Sequence, residues 1–215
     1  ILFFLIFNFK ALALDTKIPV TNEEWVKASN SLNWKDGPVL VDFNEANSKI
    51  EISQNFSVLE GKDAQQVLYW QNGTRFDYIN IYAVDNNGAQ YSFYYVDSGY
   101  VKTDDWTDVD PNKFIKEIKE NYKTSNETRK KNGQATVLNI SWKKKPYLDG
   151  IYNSVYYALN VSWSDNTTTT EGTAIILGRE GYTRASYVEG DNGYQEQMLL
   201  NLSKIHKFND TKEYK

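Results

Sequence analysis

The chain contains no cysteine and a single histidine, His206, and both scarcities remove whole classes of chemistry. Without thiols there is no thiolate nucleophile, no Cys-ligated zinc, no iron–sulfur cluster and no disulfide framework. One imidazole excludes a site built on two or more histidines, and any Ser-His arrangement would have to use His206 itself. An excess of positive charge is missing too: 24 Lys and Arg stand against 28 Asp and Glu, and the net charge of -4 argues against capture of nucleic acid. Neither a Walker A loop nor a dinucleotide-binding glycine fingerprint occurs, so no nucleotide-binding loop is expected. No internal stretch approaches the roughly 20 apolar residues that a membrane span needs. What remains is enough for a compact domain: 215 residues can bury about 70% of their unfolded surface and need neither disulfide nor metal to hold a core.

The N-terminus carries an address. Ile1 to Phe7 are almost wholly apolar, Lys10 interrupts, and Ala11-Leu12-Ala13 gives the small-x-small pattern read by signal peptidase. Residues 1–13 are therefore expected to be the remnant of a signal peptide that has lost its start, followed by a single extracytoplasmic domain over residues 14–215.

Periodicity outlines that domain as α+β, an antiparallel β-sheet with helices packed on it and one long central helix. Thr21-Asn22-Glu23-Glu24 reads as a capping box opening a helix to about Asn30, with Val20 and Trp25 placed for a hydrophobic staple. Strands are expected around Val39–Val41, at Ile50 and Ile52, and over Phe76–Val84 and Gln90–Val96, the last two joined by the hairpin signal Asp85-Asn86-Asn87-Gly88. Ala64, Val67 and Leu68 fit a helix ended at Asn72-Gly73. Asp110-Pro111 opens the longest helix, with Phe114, Ile115, Ile118 and Tyr122 on one face and a stop at Gly133. Four strands follow, at Ala135–Trp142, Ile151–Trp163, Thr169–Leu177 and Tyr182–Glu189. The alternation of Val155, Tyr157, Leu159 and Val161 with Tyr156, Ala158, Asn160 and Ser162 suggests one buried and one largely wet face. Asp191-Asn192-Gly193 closes the series, and Met198 to Ile205 form a last helix before a polar tail.

The most concentrated polar element is the loop Ser98 to Trp106. Tyr100, Lys102, Asp104 and Asp105 could there bind a cation or a polar ligand, or supply an acid/base pair, while the bland alternative is an acidic start to the following helix. The spacing does not fit a calcium-binding EF-hand. In Leu177-Gly178-Arg179-Glu180-Gly181, two glycines flank Arg179, whose fork suits a carboxylate or phosphate ligand or a carboxylate of this same chain. His206 reads as a surface or helix-end residue, and Lys143-Lys144-Lys145 as a solvated turn that could touch anionic lipid. The 16 Tyr and 6 Trp could platform sugar rings, although strand propensity and core packing explain them as well. Eight Asn-x-Ser/Thr sequons, among them Asn72 and Asn126, leave a secreted glycoprotein as a further reading.

Five motifs in one order resemble a known pattern. They are Gly99-Tyr100-Val101-Lys102-x-Asp104-Asp105, Asn126-Glu127-x-Arg129 with Gly133, Trp142 followed by Pro146-Tyr147 and Asp149, Leu177-Gly178-Arg179-Glu180-Gly181, and Phe208-Asn209-Asp210 with Tyr214. Together they resemble an uncharacterised bacterial family described as predicted membrane-anchored proteins, a domain of unknown function, over nearly the whole chain from Gly37-Pro38 onward. The resemblance implies a signal peptide, one periplasmic domain facing the inner membrane and an anchor near the C-terminus, here lying in a segment absent from this chain. It implies no catalytic residue, metal or cofactor. The chain departs from the pattern at Thr103, which separates Lys102 from the two aspartates. The expectation is thus a cell-envelope binding or interaction module, more binding protein than enzyme. Its partner would be an envelope protein or ligand, with Tyr100, Lys102, Asp104, Asp105 and Arg179 as contact candidates. The alternative is a hydrolase of envelope glycan or another polymer using acids of the 102–110 loop.

Overall fold

A computed structural model describes residues 17–107, 109–190 and 196–214. The expected signal remnant and the Asp191–Gly193 turn lie outside the described residues. The architecture is α+β, with strands paired antiparallel throughout.

In chain order the elements are α1 (Asn22–Ser29), β1 (Lys35–Asp36), β2 (Val39–Phe43), β3 (Ser48–Ile52), β4 (Phe56–Glu60), α2 (Gly61–Asn72), β5 (Ile81–Asp85) and β6 (Gln90–Val96). Then come α3 (Asp104–Thr107), α4 (Pro111–Lys131), β7 (Val137–Asp149), β8 (Ser154–Trp163), β9 (Thr168–Leu177), β10 (Tyr182–Gly190), α5 (Glu196–Ile205) and β11 (His206–Phe208). Eight strands form one sheet in the order β1-β4-β5-β6-β10-β9-β8-β7, and β11-β3-β2 form a second.

The large sheet is a central layer. On one face it packs against α5 and the inner side of the small sheet, around Phe43, Ile50, Phe93, Tyr187, Leu199 and Leu202. On the other face α4 lays Phe114, Ile115, Ile118 and Tyr122 over β7 to β9, and α2 with Trp25 of α1 covers β4 and β5. Burial of each large apolar side chain contributes about 1.5–3 kcal/mol, so these two faces account for most of the driving force.

Local signals hold where the chain supplies its own partners. Thr21 accepts from the Glu24 amide at 3.2 Å and Glu24 accepts in return from the Thr21 amide, the capping box read from sequence. Asp110 accepts from the Asn112 amide at 2.8 Å, with Pro111 as the first helical residue.

Other expectations are corrected by tertiary context. The staple does not form: Val20 is 84% exposed, and Trp25 instead meets Trp70 edge to face at 6.1 Å. β8 is buried on both faces, because it lies between the α4 layer and the α5 layer. The three lysines are not a turn; β7 runs through them as an edge strand, its pairing with β8 shifting register between Trp142 and Tyr147 around Pro146. An edge tolerates this, since the missing proline N–H can face outward. Lys144 pairs with Glu196 and lies 4.2 Å from the Tyr147 ring.

His206 is the largest departure. It is 4% exposed, opposite Ile50 in the small sheet, edge-on to Phe43 and Phe208, with Nε2 2.9 Å from Thr183 Oγ1. Burial lowers its pKa to about 3.

Candidate functional site

Three motif-bearing segments meet at one end of the large sheet. β6 runs into the loop at residues 97–103, and β9 and β10 are joined by the turn at residues 178–181. The Gly99 amide donates to Glu180 O at 3.0 Å, so loop and turn touch directly. The segment after β11 then clamps both. The Arg179 amide donates to Lys212 O at 2.9 Å, Gly178 bridges to Glu213, Lys212 pairs with Glu180, and the Thr103 amide donates to Tyr214 Oη at 3.0 Å. Tyr100 stacks on Tyr214, ring centroids 5.1 Å apart and planes within 9°.

The two glycines of the turn are demanded by close approach. A Cβ on Gly181 would lie 2.2 Å from Val96 O, and one on Gly178 would lie 2.8 Å from the Phe208 ring. Tail attachment is equally specific: the Asn209 amide donates to Asn47 O at 3.0 Å. We call this knot of loop, turn and tail the clasp.

The sequence-derived candidates are distributed over it unevenly. Tyr100, Lys102, Asp104 and Asp105 are exposed, the two aspartates at the start of the single turn α3, whose Asp105 amide donates to Lys102 O at 3.2 Å. Arg179 is half-buried, and its guanidinium makes no ion pair among the described residues; the turn's internal pair is Glu180 with Lys212. The clasp thus brings Tyr100 and Lys102 to the same end of the sheet as Arg179. Neither aspartate lines the two surface cavities described. One of about 690 Å³ lies over the outer side of the small sheet, bounded by Leu40, Lys49, Glu51 and Lys207; the other, about 630 Å³, lies beside α1. Among the described residues no group of three His, Asp or Glu side chains could hold a metal ion.

The Asn-Glu-x-Arg motif is structural. Asn126 donates from Nδ2 to Val137 O and accepts at Oδ1 from the Val137 amide, both at 2.8 Å, acting as an extra rung where β7 begins. Arg129 donates to Asn72 Oδ1 at 2.9 Å and lies 4.7 Å from the Trp163 ring, tying α4 to the end of α2. Two of the eight sequon asparagines, Asn72 and Asn126, are therefore spent on internal bonds. Trp142 donates to Pro111 O at 3.3 Å and packs against Phe114, which seats α4.

A second polar group was not singled out from sequence. Arg184 of β10 donates to Tyr157 Oη at 2.9 Å and Tyr94 Oη at 3.2 Å, and its Nε is buried without an acceptor among the described residues. Tyr122 of α4 donates to Glu171 of β9, whose pKa burial raises against the opposing pull of that bond and of Arg129 and Arg184. The signal was present: Arg184 and Glu171 are lone charges inside runs of strand formers, each alternating with fully buried neighbours and so set on the sheet face away from α5.

Fold and clasp together define an α+β domain with a large antiparallel sheet closed at one end by its own C-terminal segment. The chain belongs to the family described as protein of unknown function (DUF2167), whose model matches residues 35–215. No relative among curated proteins matches it. Among solved structures it is similar to the solution structure of cyanobacterial PsbP (CyanoP) from Synechocystis sp. PCC 6803. The identity is 11% and the TM-score 0.43, over 82% of this chain and 92% of that one.

Proposed function

We propose that the domain is a non-enzymatic binding module of the bacterial cell envelope, working outside the cytoplasm and held at the membrane in the complete protein, with the clasp as its recognition surface. The observation that carries this reading is the convergence at one end of the sheet of three of the five motif segments, with Tyr100, Lys102, Asp104 and Asp105 exposed on top. The other motifs are spent on packing, as Asn126, Arg129 and Trp142 show. Exposed polar groups on a loop held by a rigid scaffold are the usual form of a recognition site. The envelope address rests on the signal-like residues 1–13 and on the family resemblance. Among the described residues no helix is long and apolar enough to cross a membrane, so the proposed anchor is assigned to a segment outside them.

The test is a double substitution, Lys102→Ala with Asp105→Ala, in the natural gene product expressed in its own cells. Both side chains are exposed, so the melting temperature should stay within about 1 °C of the parent, because surface changes away from packed features cost little. Co-purification of envelope partners after reversible crosslinking should fall. Unchanged co-purification at unchanged stability would remove the clasp from the binding surface.

A further inference from the structure

The two faces of the large sheet are covered differently at its centre. On the face toward α5, the middle strands β6 and β10 bury Tyr91, Phe93, Thr183, Ala185 and Tyr187. On the opposite face Ser92, Tyr94, Tyr182, Arg184, Ser186 and Val188 are only partly buried, the Arg184 Nε being the enclosed end, because α2 stops over β5 and α4 begins over β9. No helix among the described residues covers this strip. The result is a trough with β6 and β10 as its floor. Tyr78, 53% exposed, stands on one side, its ring 4.7 Å from that of Tyr94. Glu171, opposite Val188 and held by Tyr122, stands on the other.

The floor carries a cation without a direct ion pair among the described residues. Arg184 makes no ion pair among the described residues; its two hydrogen-bond acceptors are neutral phenols, and Nε–H has no acceptor among them. A buried charged donor left in this state is costly, and a hydrophobic residue of similar length would fill the position without that cost. The Tyr94 oxygen, in accepting from the guanidinium, keeps its own hydrogen to donate. A guanidinium edge beside a phenol O–H forms a donor set for an anionic oxygen. Glu171 at the trough's edge contributes a negative charge, so a monoanion suits the site better than a dianion.

We propose that the trough over β6 and β10 binds a small ligand bearing a single carboxylate. Arg184 and the Tyr94 hydroxyl hold the carboxylate, and the ligand's body lies against the rings of Tyr94, Tyr182 and Tyr78. Charge complementarity at Arg184 selects this occupant, and the tyrosine faces supply contact area for a flat ring. The site is separate from the clasp reading: it would hold for a chain whose clasp binds nothing.

The test is an NMR titration of the full chain, following the Arg184 Nε–Hε resonance, identified by its loss in Arg184→Lys. Probes are glucuronate and benzoate, with glucose as the uncharged ring and inorganic phosphate as the dianion. Each is taken to about 50 mM, well past the millimolar Kd of a weak small-molecule site. We expect a saturable shift with at least one carboxylate, none with glucose and a smaller one with phosphate. Tyr94→Phe should weaken carboxylate binding about tenfold, the worth of one charge-assisted hydrogen bond. The proposal is overturned if neither carboxylate moves the resonance, if glucose moves it equally, if phosphate binds more tightly, or if Tyr94→Phe binds as the parent does.

Discussion

His206 stays neutral in the folded chain because its ring sits among Phe43, Phe208 and the Thr183 hydroxyl, away from water. The folded pKa of about 3 lies below the ordinary 6.5, so unfolding takes up a proton at any pH between the two. Stability from this residue is complete above pH 6.5 and is lost at about 1.4 kcal/mol per unit as pH falls toward 3. Carboxylates also titrate in this range, so the comparison needed is with His206→Leu. Between pH 6.5 and 4 the parent should lose about 3 kcal/mol more than the variant in urea unfolding. Parallel pH profiles would show that the imidazole is hydrated or finds a second partner on protonation. Asn126 offers an independent check. Asn126→Ala leaves the Val137 amide and carbonyl without their rung, at a cost of about 2–4 kcal/mol from two unpaired backbone groups. A midpoint unchanged in denaturant would show that water replaces both bonds.

Elements were legible where their cause is local. The α1 capping box, the Asp110-Pro111 start of α4 and the hairpin at residues 85–88 depend on neighbours in sequence, and each forms at the place expected. What could not be read depends on distant partners. The short strands β4 and β11 exist because β5 and β3 lie beside them, and β7 extends through three lysines because β8 offers a ladder. The alternation in β8 concealed a second buried face, since Tyr156 and Ala158 look outward only until α5 and the small sheet are in place. The clasp follows the same logic. Its glycines could be seen in the sequence, but their reason, the nearness of Val96 and Phe208, could not. Gly181→Ala should therefore destabilise by about 2 kcal/mol or more, because the contact is with backbone and cannot be relieved by a side-chain rotation. Tyr214→Phe should speed amide exchange at Thr103 about fivefold, the loss of about 1 kcal/mol of hydrogen bonding, without altering the core. Exchange equal to the parent's would mean that the tail does not restrain the loop.

At the scale of the whole molecule, composition limits function more firmly than it assigns it. A net charge of -4 predicts no retention of duplex DNA at physiological salt, measurable by gel shift; retention would demand a basic patch outside the described surface. Of the sequence-derived site, the exposed positions Tyr100, Lys102, Asp104 and Asp105 stay together on the clasp, and Arg179 is brought to the same end through the tail. The central trough has no mark in the sequence beyond Arg184 and Glu171, which sit inside strand patterns as ordinary sheet residues. The central claim is that this family member works by binding through the clasp. It is tested most directly by placing a photo-crosslinking residue at position 102 of the natural gene product in living cells, with position 116, on the charged face of α4, as control. The account predicts a discrete crosslinked species at 102 that is lost with Tyr100→Ala and absent at 116. Equal or no crosslinking at the two positions would contradict it.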